Sequence, residues 1–278
     1  MAFVTRFAPS PTGPLHLGHA YSVLLAADMA RTAGGVFLLR IEDIDQSRAR
    51  TQWAAQIYDD LHWLGVDWPV PVLRQSERLG FYTSALDRLW ARGLLYACTC
   101  SRRDIDLALN APQEGVIGPN GPVYPGTCRN LPRGEAANGV LRLNMAAALD
   151  CVTNLHFMET GARHAGRVSL TRQVYLKRIG DTVLARRDMG ASYHLSVVLD
   201  DAAQGITHVV RGEDLFDATA IHVLLQRLMG LSTPAYHHHA LIRDAQGKRL
   251  AKRDDARAIA AFRAEGRNAQ EVRRMVGL

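Results

Sequence analysis

The spacing of apolar positions changes several times along the chain, and each change marks an element. Phe3-Val4-Thr5-Arg6-Phe7-Ala8 reads as a short buried strand, closed by the turn Pro9-Ser10-Pro11-Thr12-Gly13-Pro14. Over about 17–33 the apolar residues recur at helical spacing, and Gly34-Gly35 stops the run. Val36-Phe37-Leu38-Leu39-Arg40-Ile41 is a second strand. Strand, helix and strand in such a short span predict a βαβ unit and a parallel sheet. Helical patterns follow at about 51–64 and 77–92.

The middle of the chain has a different character. From Asn110 to Gly139, Gly, Pro and Asn are dense and neither period is clear. About 96–165 therefore reads as an insertion that leaves the main sheet. Alternation returns in Thr182-Val183-Leu184-Ala185-Arg186-Arg187, and Ser196-Val197-Val198-Leu199 and Thr207–Val210 are expected to return to that sheet. A helix is expected over about 218–228, and a loop and hairpin followed by short basic helices from Thr233 onward. The expected organisation is an α/β chain with a Rossmann-like parallel sheet in two halves, 1–95 and 166–232. Between them lies a lobe at 96–165, and a short helical segment, 233–278, closes the chain.

Composition narrows the class. With 47% hydrophobic and 22% charged residues, the 278-residue chain is globular rather than disordered. No run approaches the roughly 20 apolar residues of a membrane span, and the first residues lack a signal peptide's basic and apolar regions. The expectation is a cytoplasmic monomer with no membrane partner. A formal net charge of +6 suits an anionic partner, and the last 36 residues carry ten basic against five acidic side chains. Four cysteines, Cys98, Cys100, Cys128 and Cys151, without an export signal argue against a disulfide framework. The first three are close in sequence, which points to metal.

The most informative run is Pro9-Ser10-Pro11-Thr12-Gly13-Pro14-Leu15-His16-Leu17-Gly18-His19, where a loop after a strand becomes a helix. A helix N-terminus offers unpaired N–H groups and partial positive charge, so phosphates favour it. His16 and His19 share one helix face and can donate to nucleotide phosphates. Gly18 between them lets a base or ribose approach. The bland alternative is a pair of polar residues capping a core helix.

Arg6-Phe7-Ala8-Pro9-Ser10-Pro11-Thr12-Gly13 running into His16-Leu17-Gly18-His19 resembles the opening of the class I glutamyl-tRNA synthetases. Arg40-Ile41-Glu42-Asp43-Ile44-Asp45, Tyr193-His194-Leu195 with Val198-Leu199-Asp200-Asp201, and Gly205 through Asp214 follow in that family's order. Lys248-Arg249-Leu250-Ala251-Lys252-Arg253 is similar to its second, lysine-rich signature. The resemblance implies ATP-dependent activation of L-glutamate, with ATP carried as its Mg2+ complex. It implies that His16, Gly18, His19 and Lys252 hold ATP, and that His16, His19 and Lys252 stabilise the reacting phosphates. Ala251 replaces a serine of the signature and Arg253 its last residue.

Glutamate carries two carboxylates and an ammonium, so its pocket needs cations and an anion. The resemblance assigns these to Arg6, Arg211 and Glu42, with hydroxyls from Tyr193 and Ser10 and a backbone acceptor near Ala8. Arginine's planar fork suits a carboxylate. Two positions depart from the family: Val197 stands where Asn is usual and Leu215 where Trp is usual. Cys98, Cys100 and Cys128 supply three thiolates for one structural zinc, and the resemblance supplies Tyr124 as the fourth ligand. His237-His238-His239 reads as local packing rather than metal.

A charging enzyme of this family carries an anticodon-reading body after the second signature, and only about 25 residues follow Lys252 here. That points to a truncated branch of the family, without an anticodon-binding domain, whose acceptor is the queuosine base in the anticodon stem-loop of tRNA(Asp). The alternatives are a short enzyme charging the tRNA 3′ end, another H-x-G-H nucleotidyltransferase, and an inactive synthetase-like RNA-binding protein.

Overall fold

The computed structural model describes residues 2–101, 103–105, 117–119, 121–131, 140–186, 188–242 and 257–278. The expected second signature, Lys248–Arg253 with Lys252, lies outside the described residues. In chain order the first part runs β1 (Val4–Phe7), α1 (Leu17–Thr32), β2 (Val36–Ile41), α2 (Thr51–Trp63), β3 (Leu73–Arg74) and α3 (Leu79–Ala91). The middle holds β4 (Leu95–Cys98), β5 (Ile117–Gly118), β6 (Gly121–Pro122), β7 (Val140–Leu143), α4 (Met145–Asp150), β8 (His156–Glu159) and β9 (Gly166–Ser169). Next come α5 (Arg172–Val174, continued by a π turn over Tyr175–Ile179), β10 (Val183–Ala185), α6 (Tyr193–Ala203) and β11 (His208–Gly212). The end comprises α7 (Thr219–Leu228), β12 (Ala235–His239), α8 (Ile259–Ala264) and α9 (Ala269–Met275).

β1 and β2 pair in parallel, Val4 opposite Val36 and Phe7 opposite Leu39, as the βαβ reading expects. β3 continues beyond β2 in the same sense. On the far side of β1, Val4 N donates to Thr207 Oγ1 at 2.8 Å and Thr207 N donates to the Val4 carbonyl at 2.9 Å. The Thr207 carbonyl in turn accepts from Ala235 N, so one residue joins three strands. β11, β12 and β8 then run parallel, with β9 antiparallel at the edge. The three-stranded and four-stranded sheets thus meet through Thr207 in the spatial order β3-β2-β1-β11-β12-β8-β9, a doubly wound arrangement with its order reversal between β1 and β11. A smaller antiparallel sheet, β4-β7-β10, stands beside it.

Three expected elements differ. Ser196–Leu199 lies inside α6, which Ser192 caps through its hydroxyl on Leu195 N. Every residue from His194 to Asp201 is buried, so the run has no polar face, and its period cannot separate a helix from a strand. The alternation at Thr182–Arg187 yields β10, which pairs with β7 in the small sheet instead of the main one. The stretch after Thr233 begins with β12, parallel to β11 along its whole length, and the rest of the expected hairpin falls on residues 243–256, outside the described residues. His156–Glu159, inside the 96–165 span, reaches the main sheet through Tyr236.

Apolar burial fills two main clusters. One joins α1, α2, β1 and β2 to Ile259 and Phe262 of α8, Val272 of α9 and Val276 just after it. The other joins α3, β4, β7, α4, α6 and α7. Asp200 of α6 anchors α3 against this second cluster. Its Oδ1 accepts from Arg78 Nε at 2.8 Å, and its Oδ2 from Gln75 Nε2 and the Tyr82 hydroxyl at 2.9 and 2.8 Å. Among the described residues, no helix is long and apolar enough to cross a membrane. Asp200→Ala strands a buried phenol, a buried amide and a half-buried guanidinium, so it should destabilise the chain by about 3 kcal/mol. Urea unfolding followed by circular dichroism measures the loss, and an unchanged midpoint would refute the anchoring role.

Candidate active site

In an open parallel sheet the crevice lies outside the strand C-termini at the point of order reversal. Arg6 and Arg211 sit on the two strands flanking that point, and Glu42 follows β2 directly. The loop leaving β1 is held to the end of β2 by Glu42 N donating to the Pro9 carbonyl at 3.0 Å. Half-buried Ala8 and exposed Ser10 are on that loop.

A buried ionic network organises the β1 and β2 side. Arg40, the penultimate residue of β2, is wholly buried. Its Nη1 donates to Asp201 Oδ1 at 2.7 Å and Gln204 Oε1 at 3.0 Å, and its Nη2 to Glu42 Oε1 at 3.0 Å. Arg6 grips the same aspartate through Nε at 2.8 Å and Nη2 at 3.3 Å. Burial opposes charge on Asp201, yet Arg6 and Arg40 hold its carboxyl below the usual range. At Glu42 burial prevails over Arg40 and Arg6, so its pKa is raised. Arg6, expected as a carboxylate clamp for a ligand, is thus partly engaged by Asp201. Glu42 has one oxygen on Arg40 and presents the other.

Arg211 is differently placed. Its Nε donates to His238 Nε2 at 3.1 Å, and its Nη2 to Thr219 Oγ1 at 2.7 Å and the Leu215 carbonyl at 3.2 Å. Its Nη1 meets His222 Nδ1 at 3.2 Å. Among the described residues no carboxylate lies within 4 Å of its guanidinium. The imidazoles around it stay neutral: burial, then the charge of Arg211, lowers His194 and His238 to about 4 and His222 well below its ordinary value. Since His238 accepts at Nε2, its proton sits on Nδ1 and faces Glu159 Oε2 at 2.5 Å. Glu159 Oε1 accepts from Gly161 N and His238 N. A Cβ on Gly161 would lie 2.2 Å from the His238 carbonyl oxygen, so the turn requires glycine. Burial raises the Tyr193 pKa, and Arg211, Glu42, Arg6 and Asp201 all act on that hydroxyl. These four expected residues, Arg6, Glu42, Tyr193 and Arg211, therefore converge on one place.

The first turn of α1 unites two readings of the histidines. Gly18 N donates to His16 Nδ1 at 3.1 Å, and His16 N donates to His19 Nδ1 at 3.2 Å. The rings lie 3.8 Å apart. Both histidines cap the helix, and with Nδ1 accepting, the proton of each neutral ring is on Nε2. Capping thus fixes the tautomer that can donate to a phosphate.

In the lobe, the sulfurs of Cys98, Cys100 and Cys128 all lie within 4.8 Å of one another. The Tyr124 hydroxyl is 3.5 Å from Cys98 Sγ and 3.4 Å from Cys100 Sγ. Sulfurs on a tetrahedral zinc would be roughly 3.8 Å apart, so donor set and spacing fit that ion. Burial opposes ionisation of Cys128, but hydrogen bonds led by the Tyr124 hydroxyl bring its thiol down to about 6. Cys151 is exposed and outside the group.

Val197 is buried in α6, and Leu215 contributes only its carbonyl to Arg211. Arg40, Glu159, Thr219, His222 and His238 were not assigned from sequence. Arg40 carried a signal, a lone charge in an apolar strand that demands a buried partner. The histidines carried none, because their neighbours come from distant strands and helices.

Residues 2–278 match the family model described as tRNA synthetases class I (E and Q), catalytic domain. The chain is 61% identical to a glutamyl-Q tRNA(Asp) synthetase of Rhodobacter capsulatus, covering 99% of this chain and 100% of that one. It is 42% identical to one of Symbiobacterium thermophilum, covering 96% and 83%. A glutamate tRNA ligase structure from Elizabethkingia meningosepticum, in complex with its amino acid, superposes with a TM-score of 0.77 at 26% identity. That match covers all of this chain and 61% of the other. A methionyl-tRNA synthetase from Mycobacterium tuberculosis shares the fold, with a TM-score of 0.61 at 11% identity over 99% of this chain and 64% of the other. The doubly wound sheet, the capped histidine pair and these full-length likenesses place the chain in the glutamyl-Q tRNA(Asp) synthetase family of class I tRNA synthetases, as a ligase.

Proposed function

We propose that this enzyme activates L-glutamate with ATP and transfers the glutamyl group to queuosine in the anticodon of tRNA(Asp). The observation that carries the amino-acid half is Arg211, a buried cation among neutral imidazoles with no carboxylate within 4 Å among the described residues. A glutamate carboxylate supplies the missing counter-charge, with Tyr193 adding a hydroxyl. Arg6 offers its remaining donors to the other carboxylate, and Ser10 adds a hydroxyl at the mouth. The second oxygen of Glu42 and the backbone near Ala8 receive the ammonium. The names of the full-length relatives support the acceptor.

His16 and His19, with Gly18 between them, hold the phosphates of ATP as its Mg2+ complex, and Lys252 approaches from the pyrophosphate side. A glutamate α-carboxylate oxygen attacks the α-phosphorus, and the bond to pyrophosphate breaks. A hydroxyl of the queuosine diol then attacks the acyl carbon, loses its proton and expels AMP. The chain's part is positioning and charge stabilisation. Cys98, Cys100, Tyr124 and Cys128 hold one zinc, which supplies a structural cross-link for the lobe. The protein works as a cytoplasmic monomer.

Glutamate-dependent ATP–pyrophosphate exchange should proceed without tRNA, and His16→Ala or Lys252→Ala should each slow it at least tenfold, about 1.4 kcal/mol. Arg211→Lys keeps the charge but loses the fork, so the KM for glutamate should rise about tenfold or more while that for ATP stays within twofold. Wild-type kinetics in all three variants would refute the site. Metal analysis should find one zinc per chain, lost in Cys128→Ser and kept in Cys151→Ser; the reverse pattern would move the site. With labelled glutamate, queuosine-containing tRNA(Asp) should be labelled, while the same tRNA with guanosine there, and tRNA(Glu), should not. Labelling of tRNA(Glu) alone would make the protein a short charging enzyme.

A further inference from the structure

A cavity of about 550 Å³ lies between the cysteine lobe, the small sheet and the start of α6. Tyr124 and Arg142 line one part of it, Arg186 and Met189 another, and Ser192 and Tyr193 a third. Tyr193 also belongs to the Arg6–Glu42–Arg211 cluster, so the cavity abuts the amino-acid site. Its volume lies in the range of sites for small organic ligands.

Arg142 gives this space its chemistry. The residue is more than nine-tenths buried, and its guanidinium stacks over the Tyr124 ring at 3.8 Å. Nη1 donates to the Asp181 carbonyl at 3.0 Å, and Nε has no hydrogen-bond partner. Among the described residues no carboxylate lies within 4 Å of it. The nearby Asp181 carboxylate is occupied by Arg129 Nε, the Tyr96 hydroxyl and Met145 N. A buried cation with an unused donor is expensive unless a ligand completes it. Arg186, by contrast, is exposed beside Asp188 at the rim.

We infer that this cavity is the pocket for the acceptor nucleoside and that Arg142 is its buried specificity-determining donor. The inference rests on the proposed transfer to queuosine. The base lies toward Tyr124 with a carbonyl oxygen on the cavity-facing edge of the Arg142 guanidinium, and its diol-bearing arm reaches toward Tyr193, where the glutamyl carbonyl waits. Arg186 at the mouth meets a backbone phosphate. A flipped base held in a fitted pocket is how enzymes reach a nucleobase substituent. The same placement makes the metal lobe the pocket's floor, because the ring beneath Arg142 belongs to a proposed zinc ligand.

Two variants test this from opposite walls. Arg142→Met removes the donor and the charge at similar length, and Met189→Trp fills the space without touching Arg142's partners. Each is measured for zinc content, for glutamate-dependent pyrophosphate exchange, and for single-turnover transfer from preformed glutamyl-adenylate to queuosine-containing tRNA(Asp). Fluorescence titration compares binding of anticodon stem-loops with queuosine or guanosine. Zinc and exchange should stay within twofold of wild type, transfer should fall at least thirtyfold, and the preference for queuosine should disappear. If Arg142→Met sheds zinc, Met189→Trp decides. Wild-type transfer and preference in a variant that keeps its zinc would overturn the pocket while leaving the proposed function intact. Failure of the unmodified enzyme to label queuosine-containing tRNA(Asp) would overturn both.

Discussion

A single fully buried guanidinium, that of Arg40, sets the geometry of the proposed amino-acid site. It cannot be solvated, so it must be neutralised, and the chain brings Asp201 from α6 and Glu42 from the end of its own strand to do so. Asp201, shared with Arg6, ties α6 to β1 as well as β2. Three elements are thereby fixed relative to one another at the order reversal of the sheet. The neighbouring Asp200, about 100° round the helix, repeats the device by holding α3 through Arg78, Gln75 and Tyr82. Two adjacent aspartates on one helix thus orient both the site and the layer behind it.

The Arg211 side uses the reverse strategy. There the cation is surrounded by hydrogen-bond acceptors that carry no net charge, and the carboxylate of Glu159 stands one imidazole away. Neutral histidines orient the guanidinium without cancelling its field. A ligand carboxylate arriving in that low-dielectric space meets a nearly unscreened positive charge. Paired charges on one side and an unpaired one on the other give the pocket a direction, which an α-amino acid with a second carboxylate matches.

The lobe is coupled to this site through stacked and bonded side chains rather than through the sheet ladder. Arg129 and Tyr96 both converge on Asp181, while Arg142 rests on Tyr124 and reaches the Asp181 carbonyl. β10 and β7 carry the small sheet to within a few residues of Ser192, the cap of α6. A structural change at the cysteine cluster therefore has a short physical path to Tyr193.

Elements that depend on local information were legible in the chain. β2 spans Val36–Ile41 as read, and α1 and α2 lie within a residue or so of their periodic runs, because one face or one strand period suffices. The His16–His19 helix start and the close pair Cys98 and Cys100 were legible for the same reason: each depends on residues near one another in sequence. Where burial is complete, the local signal vanished. Ser196–Leu199 could equally have been a strand, and only packing between α3 and α7 made it a helix. The assignment of β10 to the small sheet and of β12 to the main one depended on partners far away in the chain. So did the imidazoles that keep Arg211 oriented. Sequence by itself determined the short elements and the candidate residues they bear, Arg6, His16, His19, Glu42 and Arg211 among them. The tertiary structure alone decided which charges are cancelled and which remain, because neutralisation depends on distances across the fold.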